Sequence, residues 1–383
     1  MPNKQLDTMA QNNVSDFIYF DNNATTRVDP SVFSEMMPFF SEMYANPASS
    51  HNSGLQVKKA VEAARQQVAG LINANVDEIV FTSGATEGIN FALKGLAFAS
   101  QGKTHIVTSI TEHSAVIDTC KYLEKIGYSV TYLNVNRNGE IDLGELVASL
   151  RPETLALCFM WVNNETGVIS DVKKIYEIGR ANGIYTICDA TQGVGKMELD
   201  VREFADITIF SAHKMYGPKG IGAVYVSHDI GKRGKIQSII DGGGHEHGLR
   251  SGTLNVPNIV GFGAACGIAN AEMTTNERNI SRLTYLLESE LLRLPGVKIN
   301  GAAANRLYNT VNFCKKDLDA NIFIAKHSNL AVSNGSACTS QLIQPSHVLT
   351  AMGLTNEEAW SSLRVSLGKW NTDQEIKRFI NCL

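Results

Sequence analysis

Ile207-Thr208-Ile209-Phe210-Ser211-Ala212-His213-Lys214-Met215-Tyr216-Gly217-Pro218-Lys219-Gly220 opens as an apolar run of strand length and closes as a loop punctuated by glycine and proline. The run reads as a buried strand, so the loop holds Lys214 at the mouth of a sheet. A lysine on such a loop suits a Schiff base to an aldehyde cofactor, because burial and nearby groups can lower an amine's pKa enough to make it nucleophilic. A second reactive group stands far downstream, in Ser333-Asn334-Gly335-Ser336-Ala337-Cys338-Thr339-Ser340.

Outward from that strand, apolar runs alternate with segments of helical period from about residue 17 to 260. This is the pattern of an α/β fold with a mostly parallel sheet covered by helices. Seven strands are expected, at Glu78–Thr82, His105–Ile110, Ser129–Leu133, Thr154–Met160, Ile184–Cys188, Ile207–Phe210 and Gly222–Val226. Gln56–Ile72 is expected to be helical, because Val57, Ala60, Val61, Ala64, Val68, Leu71 and Ile72 form one apolar stripe. Beyond Gly261 the composition shifts toward charged helices, at Asn276–Arg293 and Asp373–Arg378. A large domain over 22–260 is therefore expected, with a smaller α+β domain from 1–21 and 261–383 that carries a mobile cysteine loop at about 333–345.

With 34 Lys+Arg against 38 Asp+Glu in 383 residues, the net charge of −4 leaves no basic stripe for a phosphate backbone, and direct nucleic-acid binding is not expected. The seven cysteines are scattered without a C-x-x-C, which points to a reducing compartment. No apolar stretch spans a bilayer, so a soluble cytoplasmic protein without membrane contact is expected. His245 and His247 are spaced i, i+2, but the surrounding glycines mark a loop without a further ligand, and no metal is expected.

The chemistry-bearing residues follow the strands, at the carboxyl edge where open α/β sheets bind ligands. Ser83-Gly84-Ala85-Thr86-Glu87 opens a helix expected over Glu87–Ala99, and reads either as a phosphate cradle or as a plain turn with a capping threonine. Asp189 ends a strand, where a carboxylate either caps a turn or partners a pyridinium nitrogen. His113 is placed to stack on a ring and move protons, or simply to cap a helix. Cys338 is either a substrate-reaching thiol or an inert surface cysteine. Arg364, among small and apolar residues, wants a carboxylate from a substrate or from an internal salt bridge.

Together these segments resemble the cysteine desulfurases of the class V aminotransferase group, which use pyridoxal 5'-phosphate. The resemblance covers nearly the whole chain. It runs through Tyr19-Phe20-Asp21-Asn22-Asn23-Ala24-Thr25-Thr26, Ala45-Asn46-Pro47-Ala48-Ser49-Ser50-His51, Phe81-Thr82-Ser83-Gly84-Ala85-Thr86-Glu87, Val162-Asn163-Asn164-Glu165-Thr166-Gly167, the lysine loop, Arg250-Ser251-Gly252-Thr253 and the Cys338 loop. It implies fold type I of the pyridoxal-phosphate enzymes and a homodimer. By position, Lys214 would bond the cofactor aldehyde and later shuttle the α-proton; Asp189 would meet the ring nitrogen and Gln192 the ring oxygen. His113 would stack on the ring. Ala85, Thr86, Ser211 and His213 would hold the phosphate, and Thr253 would reach the phosphate of the other subunit. Asn164 and Arg364 would bind the carboxylate of L-cysteine, and Cys338 would take its sulfur as a persulfide, releasing L-alanine.

The Cys338 segment is similar to the long-loop class. Two departures stand out: the chain ends soon after Gly368-Lys369-Trp370, where housekeeping members continue, and His247 stands where many members have arginine. The sulfur acceptor is left open among iron–sulfur assembly, tRNA modification and DNA modification. Rival readings are another class V enzyme, an aminotransferase or lyase, which has no use for a mobile thiol, and a non-catalytic sulfur-carrier subunit.

Overall fold

The computed structural model describes residues 17–232, 234–335 and 344–383. Cys338, most of the loop expected at 333–345, and residues 1–16 of the expected small domain lie outside the described residues.

All seven expected strands form, and they join one sheet. The chain begins with β1 (Ile18–Tyr19); the large sheet contains β2 (Ile79–Thr82), β3 (His105–Ser109), β4 (Ser129–Leu133), β5 (Thr154–Met160), β6 (Tyr185–Asp189), β7 (Ile207–Ser211) and β8 (Gly222–Val226). Its order is β2-β8-β7-β6-β5-β3-β4, and β8 alone runs against its neighbours. The sheet is covered on both faces, which is why its central strands read as continuous apolar runs. Successive side chains alternate between two cores. Phe81, Val107, Leu157, Phe159, Cys188, Phe210 and Tyr225 face one, while Val80, Ile106, Ala156, Cys158, Ile187, Ile209 and Val224 face the other.

The first of these cores is closed by the helices Asn52–Leu71 and Val256–Leu291, the second by Ala85–Ala99. The helix expected from Gln56 starts earlier because His51 Nδ1 accepts the Gly54 amide and begins it at Asn52. The helix Val256–Leu291 runs through the compositional shift at Gly261. Its glycines look like helix breakers in the sequence, but they allow close packing: a Cβ at Gly263 would lie 2.6 Å from Ala64 Cα.

The second half of that long helix joins a third core. Ile280, Leu283, Leu287 and Leu291 pack there with Ile18, Phe20, Val311, Phe313, Leu363, Val365, Ile376 and Phe379. The backbone of this region is an antiparallel sheet of β9 (Val297–Ile299), β10 (Thr310–Lys315) and β12 (Ser362–Ser366), with β11 (Leu330–Ala331) paired to β1. Bridges Asp21↔Ser366 and Ser333↔Arg364 bring the N-terminal segment and the start of the cysteine segment to β12. Among the described residues no helix is long and apolar enough to cross a membrane.

Candidate active site

Directly after β7, the chain makes a single 3-10 turn, Ala212–Lys214, and the N-terminal segment Asn23–Asp29 is stitched onto it. Thr26 donates through both its amide and its hydroxyl to the His213 carbonyl, at 2.8 and 2.9 Å. Thr25 Oγ1 meets His213 Nδ1 at 3.1 Å. Lys214 Nζ donates to the carbonyls of Asn23 and Ala24, at 2.6 and 2.7 Å. Burial, followed by the charges of Lys214, Lys219 and Lys196, pushes His213 down to about 4, so this ring is neutral near pH 7.

One strand earlier in sequence, Asp189 is the last residue of β6, buried, and its Oδ1 accepts the Thr191 amide at 3.0 Å. Gln192 is engaged at both ends. Its Nε2 donates to the same Asn23 carbonyl that Lys214 uses, and its Oε1 accepts from Lys196, so its amide turns to the N-terminal segment in this structure. Burial, then the nearby Lys214 charge, brings Lys196 down to about 7. Sequence reasoning did not single out this second amine; its only signal was a lysine inside an apolar and small-residue run.

His113 caps the helix Ser114–Lys125, and its Nδ1 accepts the Ala115 amide at 3.1 Å, which leaves Nε2 to carry or release a proton. Removal from solvent is the main cause of its lowered pKa; Asp189 opposes the shift, and Lys214 and His347 add to it. His113, Asp189 and Lys214 are therefore close enough to sense one another's charge. The neighbouring Glu112 is fully enclosed, with Oε1 accepting the Met160 amide and Oε2 finding no partner among the described residues. Burial drives its pKa well above the usual carboxylate range, although no sequence motif marked it.

Beside the end of β7, the helix Ala85–Ala99 starts two residues before the expected Glu87, because Gly84 accepts the Gly88 amide. Ser211 Oγ accepts the Ala85 amide at 2.7 Å, tying the end of β7 to the first turn of that helix. Thr86 is exposed on the same turn. Glu87 accepts the Ser83 amide and pairs with Arg250 at 2.9 Å; burial opposes its ionisation, but Arg250 and Ser83 prevail and hold the carboxyl below its usual range. Thr253, three residues past Arg250, stands exposed. His245 and His247 do not share a strand face: they belong to a tight turn in which His245 Nδ1 accepts the Gly252 amide and His247 is left-handed.

Arg364 lies on β12 with only 3% of its side chain exposed. One Nη donates to the Asn164 carbonyl at 3.0 Å and the other to Asp21 Oδ1 at 2.6 Å. The internal salt bridge therefore exists, while Nε is buried with no acceptor among the described residues. Asn23, Asp21 and Glu165 are further site residues to which sequence reasoning gave no role. They were visible only as members of quoted motifs, since their partners lie more than a hundred positions away.

The donor set fits pyridoxal phosphate. A helix N-terminus, Ser211, His213 and Thr86 offer donors to a dianionic phosphate. Asp189 offers an acceptor to a protonated ring nitrogen, Thr191 Oγ1 is buried without a partner among the described residues, and Lys214 supplies the amine. The site is built at the carboxyl edge of the sheet from residues at or after the ends of β2, β3, β6 and β7, with the N-terminal segment at Asn23 and Ala24 laid against Lys214.

The family model described as aminotransferase class V matches residues 18–379. The chain is 47% identical over 365 residues to the cysteine desulfurase IscS of Escherichia coli, covering 94% of this chain and 90% of that protein. Among solved structures, a NifS-like protein aligns with a TM-score of 0.88 and 36% identity, covering 95% of this chain and 97% of the other. SspA in complex with cysteine aligns with a TM-score of 0.82 and 35% identity, covering 93% and 100%. With this match along the chain and the lysine, aspartate and histidine assembled at the sheet edge, the protein belongs to the cysteine desulfurases of the class V aminotransferase family.

Proposed function

We propose that this protein is a pyridoxal-phosphate-dependent cysteine desulfurase that converts L-cysteine to L-alanine and takes the sulfur on Cys338 as a persulfide. The observation that carries the reading is the convergence of Lys214, Asp189 and His113 at one sheet edge, beside a buried arginine with an unpaired Nε. When bound, the cofactor supplies an electron sink for the pair released as the substrate Cα–H bond breaks.

The protein's own residues bind, orient and move protons. Asp189, Gln192, Ser211, His213, Ala85 and Thr86 hold the cofactor, with His113 against its ring. Arg364 and Asn164 bind the substrate carboxylate, and a charge-assisted pair to arginine fixes its orientation. Lys214 Nζ removes the Cα proton. The substrate Cβ–S bond breaks with its electron pair kept by carbon, which takes a proton, while the sulfur, oxidised to that extent, bonds to the Cys338 thiolate. The net change is L-cysteine plus a thiol giving L-alanine plus a persulfide, with atoms and electrons balanced. The persulfide then passes to an acceptor protein. In the homodimer of this reading, Thr253 reaches the phosphate of the partner subunit, and the protein works in the cytoplasm.

The test is to incubate the yellow holoenzyme with L-cysteine and a thiol reductant, and separately with other amino acids plus a keto acid. Equal amounts of alanine and sulfide from cysteine alone are expected. Amino-group transfer to the keto acid, without sulfide, would establish the aminotransferase alternative. A colourless protein without turnover would revive the sulfur-carrier alternative.

A further inference from the structure

We propose that Glu165 is a positioning residue, whose buried carboxyl pins the two chain ends, at Gly335 and Ser346, between which Cys338 lies in the sequence. The inference rests on the reading of Cys338 as the sulfur-accepting thiol.

Glu165 is 3% exposed and held from three sides. Its amide donates to Asn163 Oδ1 at 2.9 Å, and its carbonyl accepts from Asn312 on β10 at 3.1 Å. Asn163 Oδ1 also accepts the Thr166 amide and hydroxyl. The backbone of Glu165 is thus cross-linked to β10, and its carboxyl cannot swing away cheaply.

That carboxyl meets both ends. Ser346 Oγ donates to Oε2 at 2.5 Å, and the same hydroxyl accepts the Leu349 amide, capping the helix His347–Ala351. Gly335 lies against the same oxygen: a Cβ there would stand 2.5 Å from Glu165 Oε2 and 3.4 Å from Ser346 Cβ, and φ is +78°. Only glycine combines that backbone with that approach. The end at Gly335 is further tied through Ser333, whose amide and carbonyl pair with Arg364 and whose Oγ accepts the Gly335 amide. The residue that binds the substrate carboxylate in our reading and both ends of the cysteine segment therefore share one rigid frame. Burial raises the pKa of Glu165, against the opposing effects of Ser346, His347 and Arg364. A carboxyl kept in such surroundings without a role in packing alone costs stability. Its contacts with both ends give it a function.

The experiment compares Glu165→Ala, Glu165→Gln, Ser346→Ala and Cys338→Ala as cofactor-loaded proteins. It reads kcat and KM for alanine formation, the cofactor absorbance, and the rate at which iodoacetamide alkylates Cys338, located by mass spectrometry. Misplacing a reacting group by about 1 Å costs on the order of 100-fold, so Glu165→Ala and Ser346→Ala are expected to lose roughly 10- to 100-fold in kcat. KM and absorbance should stay near the parent's, and the alkylation rate should shift with kcat. Glu165→Gln keeps the shape and an acceptor for Ser346, and is expected to recover most of the activity. Parent kcat in Ser346→Ala and Glu165→Ala would overturn the proposal, as would losses that follow absorbance or melting temperature. If Glu165→Ala does not fold, Ser346→Ala decides, since it removes one hydroxyl. Parent-like alanine formation by Cys338→Ala would instead sink the underlying reading of the thiol.

Discussion

Arg364 has both terminal nitrogens committed, to Asn164 and Asp21, while its Nε is buried and unpaired among the described residues. The guanidinium carries five N–H donors and these two contacts use two, so its planar fork keeps donors for a second carboxylate, and a lysine in its place provides a point charge without that geometry. Arg364→Lys is therefore expected to lower kcat/KM for L-cysteine roughly 10- to 100-fold, the loss of about 1.5–3 kcal/mol for a charged hydrogen bond. Steady-state kinetics at unchanged cofactor absorbance check this, and parent-like values would remove Arg364 from substrate binding. At this scale, Lys214 and Asp189 were legible because each follows an apolar run whose strand character is unambiguous. Gln192 was legible as a residue of the site but not in its contacts. Its partner Asn23 lies 169 positions away, and only folding shows that Gln192 and Lys214 share the Asn23 carbonyl.

The elements that frame the phosphate end depend on a buried ion pair outside the catalytic set. Arg65, on the helix Asn52–Leu71, forks onto Glu246 with two contacts of 2.7 Å, and Glu246 also accepts the Phe81 amide of β2 at 2.7 Å. The pair joins that helix and β2 to the turn leading to Arg250, which in turn holds Glu87. Glu246→Ala removes the bidentate partner of Arg65 and leaves it only the longer contact with Glu62 at 3.4 Å, so it is expected to destabilise the protein by about 3 kcal/mol. Urea unfolding followed by circular dichroism tests it; a loss below about 1 kcal/mol would show that the pair is dispensable. The seven strands were readable from their apolar runs, whereas strand order was not, because pairing is set by contacts between distant segments. The reach of the helix Val256–Leu291 was hidden by the glycines that let it pack closely on Asn52–Leu71.

For the whole molecule, the three largest cores among the described residues frame a mostly parallel sheet and a small antiparallel sheet, and the candidate site draws on both. Part of the acid response follows from the histidines. His213, His113 and His105 all have lowered folded-state values, so at these three positions the unfolded chain binds more protons than the folded one in mildly acidic solution, while the raised carboxyls of Glu112 and Glu165 act in the opposite direction. The histidines' contribution is fully present above the unfolded value of about 6.5 and is lost as pH falls toward the folded values, for His213 about 4. From pH 7 to pH 4.5 the melting temperature of the parent is expected to lose ground relative to that of His213→Gln; identical profiles would contradict this origin. The function class was legible from the ordered motifs along the chain, while the frame holding the cysteine segment required the folded contacts of Glu165. The central claim, sulfur transfer from cysteine to Cys338, is tested most directly by a single turnover. Holoenzyme is mixed with L-cysteine without reductant, alanine is quantified, and the Cys338 peptide is weighed by mass spectrometry. One added sulfur on Cys338 for each alanine released is expected, with neither product from Cys338→Ala. Alanine released without sulfur on that peptide would contradict the account.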